Sequence, residues 1–301
     1  MIGEARPRTK IFRARRRRRR RVLVVSAVAA ALIGAGMFGY RALRNSDLPV
    51  FGPGSNGIRT LHYTFESRLL HRSLDEFAAV PPSLSRGGRR PLLLEFHGRG
   101  GSPESTVSGE MLAALKSEGA TAPVVVGVNG GDHGYYHDRR GEPWATYVLT
   151  EIIPDAVRRF HADPKRVGVD GFSMGGFGAL NLGRVAPQRF CAVAGHSAAV
   201  WRTGGETSLG SFDDAEDFAR NDVFGSAQHG TDPYHGDPLW LDVGNGDPFH
   251  NADVALAAAL RRDGTRITFH TWPGGHNSSY RDANALTILR FFGSAFASCH
   301  R

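Results

Sequence analysis

The sequence predicts an α/β fold in which a mostly parallel central sheet has helices on both faces. From residue 58 onward, strand-like and helix-like segments alternate at least five times, which is typical of parallel strands joined by crossover helices. Some strand-length segments are continuously apolar, such as "PLLLEFH" (91–97) and "APVVVGVN" (122–129), as expected of strands buried on both faces. In such a sheet the functional groups are expected in loops that follow the carboxyl ends of the strands.

Each element is assigned from its apolar spacing. The predicted strands are TLHYTF (60–65), PLLLEFH (91–97), APVVVGVN (122–129), RVGVDG (166–171), FCAVAGHS (190–197), LWLDVGNG (239–246) and RITFHTW (266–272). The segments with helical spacing are Glu104–Ser117, Trp144–His161, Met174–Val185, Asn251–Arg262 and Tyr280–Ala297. Pro154 predicts a kink in the second helix, because proline removes a backbone hydrogen bond. Residues 199–237 show no clear period, and a cap over the site is expected there.

The positive charge of the chain is confined to its N-terminus. The whole chain has a formal net charge of +8 and a pI of about 10.0. Residues 1–21 hold eleven of the 37 basic residues and one of the 29 acidic residues, so they carry +10. Residues 22–301 therefore hold 26 basic and 28 acidic residues, a net charge of −2. A body without excess positive charge predicts no nucleic-acid partner.

An uncharged run of nineteen residues, "VLVVSAVAAALIGAGMFGY" (22–40), follows the basic tail. As a helix it would span roughly 28 Å, close to the ~30 Å hydrocarbon core of a bilayer. It predicts a single transmembrane helix that leaves residues 1–21 in the cytoplasm and the folded domain outside the cytoplasmic membrane. The alternative is a signal peptide that is cleaved after export, which would make the domain a secreted protein.

The rest of the chain divides into a linker and one folded domain. Residues 41–57 are rich in Gly, Pro, Ser and Asn and predict a linker. Residues 58–301 form the predicted catalytic domain. Its two cysteines, Cys191 and Cys299, could pair in an exported protein. We favour the alternative of a buried free thiol, because Cys191 lies in an apolar strand-like run.

A serine flanked by glycines joins a predicted strand to a predicted helix in "GFSMG" (171–175). Such a sharp turn crowds the backbone, and glycine relieves the crowding because it has no Cβ. The residue at the apex is exposed above the sheet and next to the free N–H groups of a helix start. This geometry predicts that Ser173 is a nucleophile, whereas an ordinary helix N-cap is the alternative.

A serine nucleophile needs a general base and a carboxylate that orients the base. His276 follows the last predicted strand in a glycine-rich loop, whereas the competing His270 lies within that strand. Asp247 follows the preceding strand, and the competing Asp242 lies inside it. The chain order Ser173, Asp247, His276 is the order expected for this type of site.

The site also needs N–H donors for the oxyanion that forms at the attacked carbonyl. The backbone N–H of Met174 is one predicted donor. The other is the backbone N–H of Arg99 in "GRGGSPE", with Gly100 next to it. An ordinary glycine-rich turn is the alternative for that loop.

Other residues are predicted to contact the substrate. These residues are Gly100, Tyr135, Tyr136, Trp144 and Asn277. The segment "DHGYYHD" (132–138) has two His and two Asp within seven positions, as a metal site would. We instead assign its tyrosines to the pocket wall, and we predict no metal and no cofactor.

Several of these segments together resemble the esterase D group of the α/β-hydrolases. The group includes S-formylglutathione hydrolases, acetylxylan and feruloyl esterases, enterochelin esterases and the mycolyltransferases called antigen 85. The resemblance covers about residues 58–297 and rests on five motifs: "HGRGG", "VNGGDHGYY", "GFSMGGFGAL", "FCAVAGHSA" and "GGHNSSY".

The resemblance implies the α/β-hydrolase fold and a catalytic role for the residues chosen above. Ser173 would be the nucleophile, Asp247 the acid and His276 the base, with Arg99 and Met174 forming the oxyanion hole. Antigen 85 proteins have a glutamate at the position of Asp247, which favours hydrolysis over mycolyl transfer and leaves transfer as an alternative.

The predicted function is hydrolysis of a carboxylic ester by a serine enzyme, with a small-molecule, glycan or lipid ester as substrate. Acyl transfer to a sugar or lipid alcohol is the first alternative, and a non-catalytic binding module is the second. The acidic stretch "FDDAEDFARND" (212–222) lies in the predicted cap and has five acids against one arginine. A polar cap predicts short to medium acyl chains, since a long chain is bound by continuous apolar surface.

Overall fold

An eight-stranded sheet organises the residues that the computed structural model describes, which are 57–84 and 87–299. The strands in chain order are β1 (Arg59–Ser67), β2 (Arg72–Val80), β3 (Leu92–Phe96), β4 (Val124–Val128), β5 (Asp138–Arg139), β6 (Glu142–Pro143), β7 (Val167–Gly171), β8 (Ala192–His196), β9 (Leu239–Gly244) and β10 (Ile267–Trp272). Strands β5 and β6 form a separate two-stranded ladder, and the order in the main sheet is β1-β2-β4-β3-β7-β8-β9-β10.

The sheet is mostly parallel, as the sequence predicts. Strands β4, β3, β7, β8, β9 and β10 run parallel to one another, and β1 and β2 add an antiparallel hairpin at the β4 side. The carboxyl ends of the parallel strands therefore meet at one edge. The loops after these strands are brought together there.

Helices cover both faces of the sheet. The helices in chain order are α1 (Gly109–Glu118), α2 (Trp144–Tyr147), α3 (Ile153–Phe160), α4 (Met174–Val185), α5 (Ala215–Arg220), α6 (Val223–Ser226), α7 (His250–Arg262), α8 (Ser278–Asp282) and α9 (Ala285–Ser298). Within β3, Leu92 and Leu94 pack into one apolar cluster and Leu93 into another. The strand is buried on both faces, which explains its continuous apolar sequence.

Two predicted helices are interrupted in the structure. The segment 144–161 contains a π-helical turn, Val148–Ile152, between α2 and α3. Pro154 directly follows this π-helical turn, and such a turn is a known way for a continuous helix to accommodate a residue without a backbone N–H. The segment 280–297 is divided between α8 and α9.

Strand β2 is absent from the predicted elements. Its sequence, RSLDEFAAV, contains two adjacent carboxylates that break the apolar pattern of a strand. The structure buries one of them, Glu76, whose carboxylate accepts hydrogen bonds from the Asn129 N–H (2.8 Å) and the Tyr147 hydroxyl. Burial raises the pKa of Glu76 to about 8 in spite of these hydrogen bonds.

The structure contains the disulfide bond that the sequence analysis disfavoured. Cys191 and Cys299 form a disulfide across a sequence separation of 108 residues. Our preference for a free thiol at Cys191 is therefore wrong. Burial of the sulfur in an apolar strand is compatible with a bond to a second cysteine, since α9 brings Cys299 next to the start of β8.

The predicted membrane anchor, residues 22–40, lies outside the described residues, as do the basic tail and nearly all of the linker. Among the residues that the structure describes, none of the helices combines the length and the apolar character needed to cross a bilayer.

Candidate active site

Ser173 lies at the apex of the turn between β7 and α4. Its backbone has a positive φ of 57°, which only a tightly constrained turn imposes on a residue other than glycine. A Cβ on Gly171 would lie 2.3 Å from the carbonyl carbon of Gly175. A Cβ on Gly175 would lie 2.1 Å from the carbonyl oxygen of Phe96. Gly171 is therefore required by the close approach of the strand end to the start of α4, and Gly175 by the packing of the turn against β3.

The structure brings the three predicted catalytic side chains into one hydrogen-bonded line. His276 follows β10, and its Nε2 lies 2.8 Å from Ser173 Oγ. Asp247 follows β9, and its Oδ2 lies 2.9 Å from His276 Nδ1. The side chain of Asp247 is fully buried. This arrangement has the connectivity of a nucleophile, a base and an orienting acid.

The surroundings of Asp247 keep its carboxylate ionised. Burial alone would raise the pKa of Asp247, but hydrogen bonds from His276 and from the Phe249 backbone N–H hold that pKa below its usual value. A buried negative charge beside Nδ1 favours the tautomer in which Nδ1 carries the proton. Nε2 is then free to accept a proton from Ser173.

His270 and Asp242, which compete for the roles of base and acid, make other contacts. The ring of His270 on β10 stacks on Trp272, with ring centroids 4.8 Å apart. Asp242 on β9 accepts a hydrogen bond from His196 Nδ1 at 2.6 Å. Neither side chain is therefore in the line formed by Ser173, His276 and Asp247.

The loop after β3 packs directly against the serine. A Cβ built on Gly98 would lie 3.5 Å from the Cβ of Ser173, so the backbone of this loop approaches the nucleophile closely. The carbonyl oxygen of Gly98 accepts a hydrogen bond from the Gly101 N–H at 2.9 Å and lies 2.8 Å from His97 Nδ1. In a trans peptide the N–H points opposite to the C=O, so the Arg99 N–H is turned away from these donors.

His97 orders the glycine-rich loop after β3, and the sequence analysis did not single it out. Its Nε2 accepts a hydrogen bond from the Gly130 N–H at 3.1 Å, so the proton of the neutral ring is on Nδ1, which donates to Gly98. Burial lowers the pKa of His97, which favours this neutral form. Its position directly before the glycine-rich loop was the only signal in the sequence.

Of the predicted donors, Met174 directly follows Ser173, and Arg99 directly follows Gly98, which packs against Ser173. Met174 is the first residue of α4, and the first N–H groups of a helix have no intrahelical partner. Gly100 has a positive φ of 68°, and its N–H donates to the Asp132 carbonyl at 2.9 Å. The Arg99 side chain reaches across to the carbonyl of Leu209 at 3.2 Å, which ties this loop to the segment after β8.

Three of the residues predicted to contact substrate are instead part of the core. Tyr136 is fully buried, and its hydroxyl donates to the Val128 carbonyl and accepts from the His97 N–H. Trp144 is 1% exposed, and Tyr135 is 3% exposed. These side chains present almost no surface to a substrate, so their predicted role is not supported. Tyr136 and Trp144 fill space left by glycines, since a Cβ on Gly130 would lie 2.3 Å from the Tyr136 ring and one on Gly131 would lie 2.8 Å from the Trp144 ring.

Asn277 is exposed and caps α8. Its side-chain oxygen accepts a hydrogen bond from the Tyr280 N–H at 3.0 Å. This contact holds the start of the helix that follows His276 and so fixes the base-bearing loop. Within "DHGYYHD", His137 is buried and pairs with Asp217 at 3.1 Å, so it does not gather with the other His and Asp of that segment.

Two cavities lie beside the line of catalytic side chains. The larger has a volume of about 680 Å³ and is lined by Trp201, Arg202, Phe249 and the α7 residues Ala255 and Ala258. The smaller has a volume of about 270 Å³, and its lining includes Gly98, Arg99, Phe172 and Ser278. The ring centroids of Phe249 and Phe172 lie 5.4 and 4.9 Å from that of His276, so each cavity shares one wall residue with the surroundings of His276.

A comparison with protein families identifies the chain. Residues 68–297 match the model of the Esterase family, described as "Putative esterase". The chain belongs to this Esterase family. The match covers the sheet from β2 onward and all three residues of the hydrogen-bonded line. The description of this family agrees with the ester hydrolysis that the sequence predicts.

Curated relatives of the esterase come from Mycobacterium tuberculosis. It is similar to Esterase MT1326 of strain CDC 1551 / Oshkosh and to Esterase Rv1288 of strain ATCC 25618 / H37Rv. Identity with each is 26% over 158 residues, which covers 50% of this chain and 34% of the relative. The chain therefore spans about a third of the length of these relatives.

Solved structures of other hydrolases share the fold of the esterase. A ferulic acid esterase has a TM-score of 0.69 at 21% identity, covering 79% of this chain and 98% of that chain. An S-formylglutathione hydrolase from Agrobacterium tumefaciens has a TM-score of 0.66 at 18% identity, covering 83% and 98%. The fluorophosphonate-binding serine hydrolase F of Staphylococcus aureus has a TM-score of 0.63 at 20% identity, covering 78% and 98%. The predicted α/β-hydrolase fold is thereby confirmed.

Proposed function

We propose that the esterase cleaves carboxylic esters through an acyl-enzyme formed on Ser173. The observation that supports this best is the line of contacts from Ser173 Oγ to His276 Nε2 and from His276 Nδ1 to Asp247 Oδ2, at 2.8 and 2.9 Å. The first distance is within hydrogen-bond reach of the proton that Ser173 gives up, and the second allows Asp247 to orient the ring without taking a proton. The line lies at the carboxyl ends of the parallel strands, where substrate is expected in such sheets.

In the first half of the reaction, Ser173 Oγ attacks the ester carbonyl carbon while its proton passes to His276 Nε2. The carbonyl electron pair moves onto oxygen, and the N–H groups of Arg99 and Met174 stabilise the resulting oxyanion. When this tetrahedral intermediate collapses, the carbon–oxygen bond to the alcohol breaks. The alcohol leaves with the proton from His276, and Ser173 retains the acyl group.

In the second half, water attacks the acyl carbon and gives its proton to His276. The carboxylic acid leaves, and the proton returns to Ser173 Oγ. Throughout, Asp247 stays ionised, holds the imidazole tautomer and stabilises the positive charge that forms on the ring.

The contacts of the predicted cap, residues 199–237, bear on the length of the acyl chain. The acidic stretch 212–222 does not face an open site, because Asp213 and Asp214 pair with Arg139 and Arg140 at 2.8 and 3.1 Å. The inner side of the cap is aromatic instead, since Phe212 packs against the Trp201 ring at 5.9 Å. The acidity of this stretch therefore says nothing about acyl length. A preference for short to medium acyl chains now rests on the small volume of the cavity at the Arg99 loop.

We also propose that the esterase acts outside the cytoplasmic membrane and is anchored by residues 22–40. The arginine-rich tail before that apolar run supports the orientation. The Cys191–Cys299 disulfide supports an oxidising compartment, because such bonds are rare in the cytosol of most organisms.

The proposal is tested by turnover of p-nitrophenyl esters from acetate to palmitate, with and without an added sugar. We expect hydrolysis that falls off with long chains, and covalent labelling of Ser173 by a fluorophosphonate probe. The variant Ser173→Ala should show neither. Release of the acyl group only when the sugar is present would instead assign the enzyme to acyl transfer.

A further inference from the structure

A row of buried charged side chains crosses the sheet beneath the active site. Glu95 on β3 is paired in register with Asp170 on β7, and His196 on β8 with Asp242 on β9. Each of these side chains is at most 1% exposed. None of them takes part in the proposed proton transfers. Each lies at or near the end of its strand, just before a loop that supplies part of the catalytic site.

His196 is held between two carboxylates. Its Nδ1 donates to Asp242 Oδ2 at 2.6 Å, and its Nε2 lies 2.6 Å from Asp170 Oδ1. The Nε2 contact is a close ion pair rather than an aligned hydrogen bond, and a carboxylate beside each nitrogen favours the ring that carries both protons. Burial alone would lower the pKa of His196, but these two carboxylates raise it to about 10. Arg281 of α8 continues the row, with contacts to Glu95 and to Asp170.

The backbone at His196 is in direct contact with the nucleophile. The Ser173 N–H donates to the His196 carbonyl at 2.9 Å, and the Ala199 N–H donates to the Ser173 carbonyl at 3.0 Å. Residues 196–199 therefore hold both backbone groups of Ser173. Ser197 within this segment has a positive φ of 46°, so the turn is constrained by its surroundings.

The same segment is bonded to the strand that leads to the catalytic acid. The Ser197 N–H donates to the Asp242 carbonyl at 2.7 Å. Asp242 is followed on β9 and its loop by Asp247. The side chain and the backbone of Asp242 thus both bind the end of β8, so the spacing between Ser173 and Asp247 depends on this contact.

We propose that His196 is a positioning residue of the esterase, which is clamped between Asp170 and Asp242 and thereby fixes the backbone of Ser173 relative to the loop of Asp247. This inference rests on the proposed function of that site. Misplacement of reacting groups by about 1 Å can cost roughly 100-fold in rate, so the expected effect is on kcat.

The first test compares His196→Gln with His137→Gln. Like His196, His137 is fully buried and contacts a carboxylate, that of Asp217. Unlike His196, its backbone makes no hydrogen bond to Ser173. We expect both variants to unfold at lower temperature than the wild type. Well below those temperatures, kcat for p-nitrophenyl acetate should fall by roughly 10- to 100-fold in His196→Gln, with KM little changed. In His137→Gln, kcat should stay near the wild-type value.

The second test is the pH profile of kcat, which loss of packing alone does not move. The charged groups around His196 are Asp170 from β7 and Asp242 from β9, with Glu95 of β3 and Arg281 of α8 beyond them. In the wild type, kcat should fall as the pH rises toward about 10, when His196 loses its second proton. Asp170→Asn should move this alkaline limb to lower pH by about 1–3 units, because one stabilising charge is removed.

Failure of the positioning role can be distinguished from failure of the proposed function. If the wild type turns over no ester, the proposed function fails. If the wild type is active and folded His196→Gln retains its kcat, the positioning role is wrong. Should His196→Gln fail to fold, Asp170→Asn decides, and an alkaline limb that does not move would overturn the proposal.

Discussion

His276 Nε2 lies 2.8 Å from Ser173 Oγ, although the two residues are 103 positions apart in the chain. They follow strands β10 and β7, which are separated in the sheet by β8 and β9. A contact of this length across two strands requires that both loops fold back toward one point. The sheet order, rather than the local sequence at either residue, sets the geometry of the proposed proton transfer.

Removing either end of this contact should abolish turnover. We expect Ser173→Ala and His276→Ala to lower kcat by about 10⁴- to 10⁶-fold, because the side chains act as a unit. Asp247→Asn should cost about 10⁴-fold. Steady-state kinetics with p-nitrophenyl acetate measures these losses, and circular dichroism checks the fold. A greater loss from Asp242→Asn than from Asp247→Asn would indicate that Asp242, rather than Asp247, is the catalytic acid.

The charge on His196 should also make stability depend on pH. Its pKa in the folded protein is raised to about 10, whereas an unfolded histidine titrates near 6.5. The contribution to the free energy of unfolding is therefore fully present below about pH 6.5 and is lost as the pH rises through about 10. Urea unfolding at pH 6.5, 8.5 and 10 should show this decline in the wild type. The same series on His196→Gln should be flatter, and equal slopes would contradict the charge assignment.

The disulfide should stabilise the fold without taking part in catalysis. Cys299→Ser should lower the free energy of unfolding by about 2–5 kcal/mol. Esterase turnover at 25 °C should remain near the wild-type value, because the bond connects β8 to the end of α9 and contacts none of the catalytic side chains. Thermal unfolding with and without a reductant measures the effect. A melting temperature unchanged by the reductant would show that the bond does not form in solution.

Filling the larger cavity should reduce turnover of bulky esters selectively. Ala258 is exposed on α7 and lines this cavity. Ala258→Phe should lower kcat/KM for esters with a large acyl or alcohol part, whereas p-nitrophenyl acetate should be hydrolysed at the wild-type rate. Ala113→Phe, on the exposed face of α1, is the matched control and should leave both substrates unaffected. Equal losses for small and bulky esters would argue that substrate does not enter this cavity.

The apolar run should determine where the esterase is found. The full chain should sediment with membranes and stay there in high salt, because residues 22–40 rather than the arginines would hold it. A chain beginning at residue 46 should be soluble and equally active. Release by salt would indicate surface electrostatics alone. A mature protein that begins near residue 40 would instead indicate a cleaved signal.

Local patterns in the sequence were sufficient to predict the parallel strands and to select Ser173, Asp247 and His276 as candidates. Each of these three residues directly follows a strand that has an apolar signal of its own, and this local context distinguished them from their competitors. By contrast, the pairing of His196 with Asp170 depends on register between strands that are distant in sequence. The burial of Tyr136 depends on the packing of Gly130 against its ring. Such contacts have no local periodicity, so sequence patterns could not show them.

The bond between Cys191 and Cys299 closes a covalent ring that contains Asp247 and His276, whereas Ser173 lies on the chain before the ring begins. A protease that cuts once between residues 191 and 299, for example in the irregular segment after β8, would break the backbone without producing two separable pieces. The half with the acid and base would stay tethered to the half with the nucleophile. In the proposed location outside the cytoplasmic membrane, where a cut chain cannot be replaced by new synthesis, the tether would let a nicked enzyme remain assembled.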